Sequence, residues 1–200
     1  MDKDLQAIQQ VRDQIKASKA ALEALGRYTQ SEIDALVKRV VDATQAKSES
    51  LAAQAVEETG FGNRADKMLK NALAGPMVYQ SLREVRTIGV INEEPQRGYY
   101  EVAVPVGVIA ALVPSTNPTS TVIYKSIIAL KGANTVIFSP HPSARDCIRA
   151  TVAIIRDTLR TAGAPADAVQ CLGEPLTMEA TSELMKHPEV GLILATGGPA

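Results

Sequence analysis

From Pro105 onward, short apolar runs alternate with stretches of helical period: "GVIAALV", "NTVIFS", "AVQCL" and "VGLILAT" are separated by three such stretches. Runs without polar alternation are expected of parallel strands buried on both faces, and parallel strands need a crossover between them. Three helices fill those gaps. Thr119 or Ser120 is placed to cap the first, which stops at Lys131-Gly132. Ser143 with Asp146 caps the second, whose Ile148, Val152, Ile155 and Leu159 share one face before Gly163. "MEATSELMK" is the third. Four strands with three crossovers describe half of a doubly wound, Rossmann-like α/β sheet.

The first part of the chain reads as helices. Ile8, Val11, Ile15, Leu22 and Leu25 recur at helical spacing up to Gly26. Thr29 and Glu32 form a capping box for a helix carrying Ile33, Leu36, Val37 and Val40. Another helix runs from Ser48 to Gly60. Asn63 and Asp66 then cap one that carries Met68, Leu69 and Leu73, expected to stop near Gly75-Pro76 or resume just beyond. The period changes after Arg83: "RTIGVI" and "YYEVAVPV" around the turn-rich "NEEPQRG" predict a hairpin standing away from the main sheet. The chain therefore divides into a helical segment (1–85), a hairpin (86–105) and a dinucleotide-binding α/β domain (106–200). The hairpin reads as an oligomerisation contact, with a simple edge strand as the other reading.

The final "LILATGGPA" is a strand running into a turn whose proline suits the first turn of a further helix. The expectation is that the α/β domain is incomplete and the chain is the front part of a longer protein. Composition narrows the partners. With 46% apolar and 22% charged residues and a net charge of -1, neither nucleic acid nor an anionic membrane is expected as the main partner. No apolar stretch approaches the ~20 residues of a membrane span, and the charged "MDKDLQAIQQ" lacks a secretory core. Cys147 and Cys171 fit no metal spacing and no disulfide framework, so a cytoplasmic protein without a metal site is expected.

In open α/β sheets ligands bind beyond the carboxyl ends of the strands. Three of those ends are turn-forming here: Pro114-Ser115-Thr116-Asn117-Pro118-Thr119-Ser120, Ser139-Pro140-His141, and Thr196-Gly197-Gly198-Pro199. Glycine lets a phosphate or nicotinamide approach the backbone, and a helix N-terminus attracts anionic phosphate. Together the three ends read as a nucleotide site. Asn117 offers a neutral amide with two N–H donors, suited to a developing oxyanion; capping of the following helix is the other reading. His141 is open to three: general base, ribose or phosphate contact, or exposed loop residue. His187 precedes Pro188 and marks a helix end. Cys147 and Cys171 read as small core residues rather than nucleophiles.

"GVIAALVPSTNPTSTVIYKSIIALKGANTVIFSPHPSA", the later "LILATGGPA" and the upstream "EETGFGNRADKMLKN" closely resemble the CoA-acylating branch of the aldehyde dehydrogenase superfamily, over nearly the whole chain. "PSTNPTS" and "FSPHP" are specific to that branch; hydrolytic relatives carry an aromatic residue before the asparagine and Lys-Pro-x-Glu in place of Ser139–Pro142. The resemblance implies attack of a cysteine on a short-chain aldehyde, hydride transfer to NAD or NADP, and release of the acyl group to coenzyme A. It implies that Asn117 is the oxyanion-hole asparagine. It also implies that Pro114–Ser120, Ser139–His141 and Thr196–Pro199 line the cofactor cleft, and that the full-length enzyme is a homo-oligomer. The nucleophilic cysteine of the family lies downstream of Thr-Gly-Gly-Pro, so this segment alone is expected to be inactive. A hydrolytic dehydrogenase or an acyl-phosphate reductase is the nearest alternative chemistry. A non-catalytic module that binds a dinucleotide or assembles with a partner is the alternative of another class. The amphipathic first helix reads as part of the fold, with targeting to a bacterial microcompartment as the alternative.

Overall fold

A computed structural model describes residues 2–197, and its architecture follows from where the buried positions fall. The first helix, α1 (Lys3–Leu25), buries Ala7, Val11, Ile15, Ser18, Ala21 and Leu25. Ile8 and Leu22 of the expected stripe are only half-buried, because the contacting face follows steps of three and four from Ala7 instead. The capping box of α2 (Gln30–Ala46) forms: the Thr29 N–H donates to Glu32 Oε2 at 2.7 Å and the Glu32 N–H to Thr29 Oγ1 at 3.3 Å. Then α3 (Ser48–Thr59) ends at Gly60 in the left-handed conformation.

The next helix corrects the sequence reading. In α4 (Arg64–Ala72), capped by Asn63 as expected, Leu69 is 66% exposed and the following Leu73 54%, while Lys67 and Asn71 are buried. The polar side chains face inward because each finds a partner there, described below. At Pro76 the second of the two expected outcomes holds: Leu73–Met77 widens into a π-turn and the helix resumes just beyond as α5 (Val78–Leu82). A wider turn accommodates the N–H that proline lacks.

Strands β1 (Gly89–Glu94) and β2 (Tyr99–Ala103) pair antiparallel in a two-stranded sheet of their own. The strand runs on through Asn92–Glu94, so the turn shrinks from the expected Asn92–Gly98 to Pro95–Gly98.

The main sheet starts with β3 (Val108–Val113), followed by α6 (Pro118–Lys131) and β4 (Thr135–Pro140). A short turn at Pro142–Ala144 leads into α7 (Arg145–Thr161), and the chain continues through β5 (Val169–Cys171), α8 (Met178–Lys186) and β6 (Val190–Ala195). All strands are parallel, in the order β5-β4-β3-β6. Alternate residues of the strands enter two cores. Ile109, Ala111, Val136 and Phe138 pack with the α2, α6 and α7 side chains; Val108, Ala110 and Ile137 pack with Val11 and Ile15 of α1 and Ala180 and Leu184 of α8. Both faces of β3 and β4 are thereby covered, as the uninterrupted apolar runs require. In β6 the same kind of run leaves Leu192 and Ile193 42% and 47% exposed. Gly191 cannot be replaced there: a Cβ would sit 2.0 Å from the Val106 carbonyl oxygen, where the chain crosses to enter β3.

Two expected caps are corrected. Helix α6 starts at Pro118 with Asn117 in the N-cap position, and the hydroxyl of Thr119 is turned inward to Asn71. The Ser143–Asp146 box does not form. The Glu58 carboxylate of α3 instead accepts the N–H groups of Asp146 and Cys147, both at 2.8 Å, an N-cap supplied from another helix. Among the described residues no helix is long and apolar enough to cross a membrane. None of their His, Cys, Asp and Glu side chains form a group of three able to hold a metal ion.

A candidate active-site rim at the switch point of the sheet

After β3 the chain adds β4 and β5 on one side, then returns to place β6 on the other. The reversal lies between β3 and β6, the position where open parallel sheets leave a crevice for ligands. Asn117 follows β3 there, and Thr196 and Gly197 follow β6. The two ends are joined across the crevice by Tyr124 of α6, whose hydroxyl lies 2.9 Å from Thr196 Oγ1. Lys125, the next residue, is fully buried and donates to the carbonyls of Leu112 (2.8 Å) and Leu194 (2.6 Å). One ammonium thus ties the ends of β3 and β6 together, and burial pushes its pKa down to about 8.

Asn117 occupies the N-cap position without capping: its side chain makes no bond to the helix backbone. Its Oδ1 accepts from Lys70 Nζ at 2.8 Å. An ammonium only donates, so this contact fixes which end of the amide is oxygen and leaves the two Nδ2 donors for another acceptor. Lys67, one turn earlier on α4, donates to the Thr116 carbonyl. Burial, then the neighbouring Lys70 charge, holds its pKa below the usual lysine range. Asn71 completes the grip by accepting from Thr119 Oγ1 at 2.8 Å. Between α4 and α6 lies a cleft of about 310 Å³, with Leu73, Ala74 and Val78 as its apolar wall and Lys70, Asn117, Tyr124 and Thr196 as its polar one. A larger hollow of about 440 Å³ sits near Tyr28, Val102 and Pro105, on the approach to the amino end of β3 and away from this rim.

The second strand end is held mainly through neighbouring elements. The His141 N–H donates to the Val113 carbonyl at 3.1 Å, and its Nδ1 accepts the Ser143 N–H at 3.1 Å. The exposed imidazole is therefore held by one nitrogen, with Nε2 unused among the described residues. Ser139 is buried and its hydroxyl pairs with Thr181 of α8 at 2.8 Å; Pro140 is buried as well. Among the remaining rim residues, Pro114 and Ser115 are half-buried, Thr116 is exposed and Pro118 is buried. The Ser120 hydroxyl donates to the Asn117 carbonyl at 3.4 Å. Gly197 has φ +148, a conformation that side chains rarely adopt, with open space where a Cβ would stand. Gly198 and Pro199 lie outside the described residues.

Neither cysteine is an activated thiol. Cys147 is fully buried and donates to the Ala144 carbonyl; burial, then the adjacent Glu58 carboxylate, drives its pKa far up. Burial pushes the Cys171 thiol up to about 12. The rim offers a polarised amide donor, hydroxyls, an imidazole and an open glycine backbone. That donor set fits a dinucleotide and an electrophilic carbonyl, and among the described residues it contains no nucleophile.

Sequence reasoning missed Lys67, Lys70, Tyr124 and Lys125. Two signals were present: a lysine inside the apolar "VIYKSIIAL", and Lys67, Lys70 and Asn71 at helical spacing on one face.

Comparison with known proteins bears on this arrangement. A profile described as "Aldehyde dehydrogenase family" matches residues 4–200. Aldehyde-alcohol dehydrogenase 2 of Entamoeba histolytica is 46% identical over 173 residues, which is 86% of this chain and 20% of that protein. The structure of an acetylating aldehyde dehydrogenase from Geobacillus thermoglucosidasius superposes with a TM-score of 0.95 at 49% identity, covering 99% of this chain and 44% of that one. Propionaldehyde dehydrogenase of Rhodopseudomonas palustris with bound propionyl-CoA gives a TM-score of 0.80 at 32% identity, covering 94% and 41%. The chain thus spans between about a sixth and under half of the relatives it matches.

Proposed function

This chain belongs to the aldehyde dehydrogenase family, and on that premise we propose that it is the cofactor-binding part of an enzyme oxidising a short aldehyde to its acyl-CoA, with reduction of NAD or NADP. The observation that carries the reading is the Asn117 amide at the switch point, oxygen held by Lys70 and donors left for a substrate oxygen. When a thiolate adds to an aldehyde, the carbonyl oxygen gains negative charge; a preorganised N–H donor stabilises that charge more than it stabilises the uncharged substrate. The thiolate would come from outside these 200 residues, since Cys147 is buried with its thiol on the Ala144 carbonyl and burial raises the pKa of both Cys147 and the half-buried Cys171. A bound dinucleotide would supply the hydride acceptor, and coenzyme A would be the co-substrate that receives the acyl group. Toward the dinucleotide this chain contributes His141 and Gly197, which would hold it across the rim, with Ser139 bracing the second strand end on Thr181 and Thr196 and Tyr124 tying the β3 and β6 ends.

The acylating chemistry, rather than hydrolysis, is favoured by Ser139-Pro140-His141-Pro142 at the second strand end, and by the acetylating and CoA-bound enzymes among the similar structures. Between the dinucleotides we favour NAD. The N-terminus of α7, where a 2′-phosphate would seek its partners, already holds the Glu58 carboxylate, and Arg145 faces Asp146 and Glu174. The exposed Tyr100 and Val102 of the hairpin support a contact between subunits of a homo-oligomer. Burial of Val11 and Ile15 against the sheet supports a structural role for α1, and with it a cytoplasmic enzyme over one addressed to a microcompartment.

The test is an assay of the full-length protein with a panel of short aldehydes, both dinucleotides, and coenzyme A present or omitted. Sustained NADH formation only with coenzyme A, yielding acyl-CoA, is expected. Sustained turnover without it, yielding free acid, refutes the acylating reading.

A further inference from the structure

Lys67 and Asn71 turn inward from α4 while Lys70 stays exposed beside them, and the three meet the loop after β3 at successive points. Lys67, Lys70 and Asn71 stand at i, i+3 and i+4, which places them on one side of the helix. They engage the Thr116 carbonyl, the Asn117 Oδ1 and the Thr119 hydroxyl in the same order. Packing alone does not require this. The same helix leaves Leu69 exposed, so burial of an apolar stripe is not what docks it.

From this geometry we infer that Lys70 is the positioning residue of the oxyanion donor. The inference deepens the reading of Asn117 given above and rests on it. Lys70 acts in two ways. It blocks the flipped amide, in which Nδ2 would face an ammonium and no acceptor would be present. It also draws charge toward Oδ1, which makes the Nδ2 hydrogens stronger donors to an oxyanion. Lys67 is buried beneath it and holds the backbone of the same turn, so the amide is fixed at both its main chain and its tip. The ordinary role of a basic residue in the last turn of a helix, balancing the helix dipole, predicts none of this coupling to Asn117.

A double-mutant cycle in the full-length enzyme tests the assignment, with Lys70→Met, Asn117→Ala and the combined variant, and Lys70→Arg as the conservative change. Lys70→Met is expected to lower kcat by about 10- to 100-fold, the range of a lost charge-assisted hydrogen bond, while KM for the aldehyde moves less than about threefold. Lys70→Arg recovers most of the loss. The decisive readout is non-additivity: in the Asn117→Ala background the Lys70 change costs less than about twofold, because the group it positions is gone. Should Lys70→Met fail to fold, Lys70→Gln, which keeps a donor without the charge, is read in the same cycle. An undiminished Lys70 effect in the Asn117→Ala background overturns the inference, as does a Lys70→Met enzyme with unchanged kcat. If Asn117→Ala itself leaves kcat intact, the oxyanion reading has failed, and the inference falls with it.

Discussion

The loops after β3 and β4 look alike as sequence. Each leaves an apolar strand through serine and proline and enters a helix after a second proline, "VPSTNPTS" in one case and "FSPHPSA" in the other. They are held in different ways. The first is gripped from outside by three side chains of α4, and it ends in an amide whose donors are left free. The second is tied to its neighbour strand by the His141 N–H on the Val113 carbonyl of β3, closed locally by His141 Nδ1 on the Ser143 N–H, and followed by a helix that the Glu58 carboxylate caps. A loop pinned by cations around an uncommitted donor suits charge that appears during a reaction. A loop tied to the neighbouring strand through its backbone, with an exposed imidazole, suits a ligand that stays bound. On the proposed function, what would separate chemistry from binding on this rim is the set of partners that hold each loop, not its local composition.

Substitutions in the full-length enzyme sharpen that contrast. The largest effect is expected at the first loop: Asn117→Ala should lower kcat by about 10²–10³-fold, measured in steady state, with dinucleotide KM little changed. Next is Lys125→Met, which leaves the Leu112 and Leu194 carbonyls without their shared donor and should destabilise by about 1–3 kcal/mol in denaturant unfolding. The pH dependence has a definite sign. The folded pKa of about 8 lies below that of an unfolded lysine, so the native state binds fewer protons between the two values. Wild-type stability should therefore gain on Lys125→Met as pH rises above 8. A constant difference across that window contradicts the assignment.

At the second loop the effects are smaller and fall on binding. Glu58→Gln keeps the shape but weakens the cap, which predicts about 1 kcal/mol of lost stability and a few-fold rise in dinucleotide KM. Although burial alone would raise the Glu58 pKa, the N–H groups of Asp146 and Cys147 hold it below the usual carboxylate range. Its stabilisation is thus full above the ordinary glutamate value and is lost as pH falls through the depressed one. Acid unfolding of Glu58→Gln should show a shallower dependence in that window. The smallest expected effect is His141→Ala, a few-fold increase in dinucleotide KM at unchanged kcat, since one ring nitrogen already serves the loop. A large kcat loss there would make His141 catalytic and erase the contrast.

The sheet was legible because burial on both faces writes itself as uninterrupted apolar runs, and the crossover helices follow from parallel pairing. Asn117 was legible as a polar residue out of place at the end of such a run. The starts of α6 and α7 were not, because Thr119 and Ser143 have the right chemistry, while Thr119 instead bonds Asn71 and α7 takes its cap from Glu58 across the molecule. The inward face of α4 was misread for the same reason. Leucines at helical spacing look like core, and only the docked loop shows that Lys67 and Asn71 take that place.

The central claim concerns one amide, and it is tested most directly by a crystal structure of the full-length enzyme trapped as its acyl thioester. The account predicts Asn117 Nδ2 about 2.7–3.1 Å from the acyl oxygen, with Lys70 still on Oδ1. An acyl oxygen bound by other donors, with the Asn117 amide turned away, would contradict it.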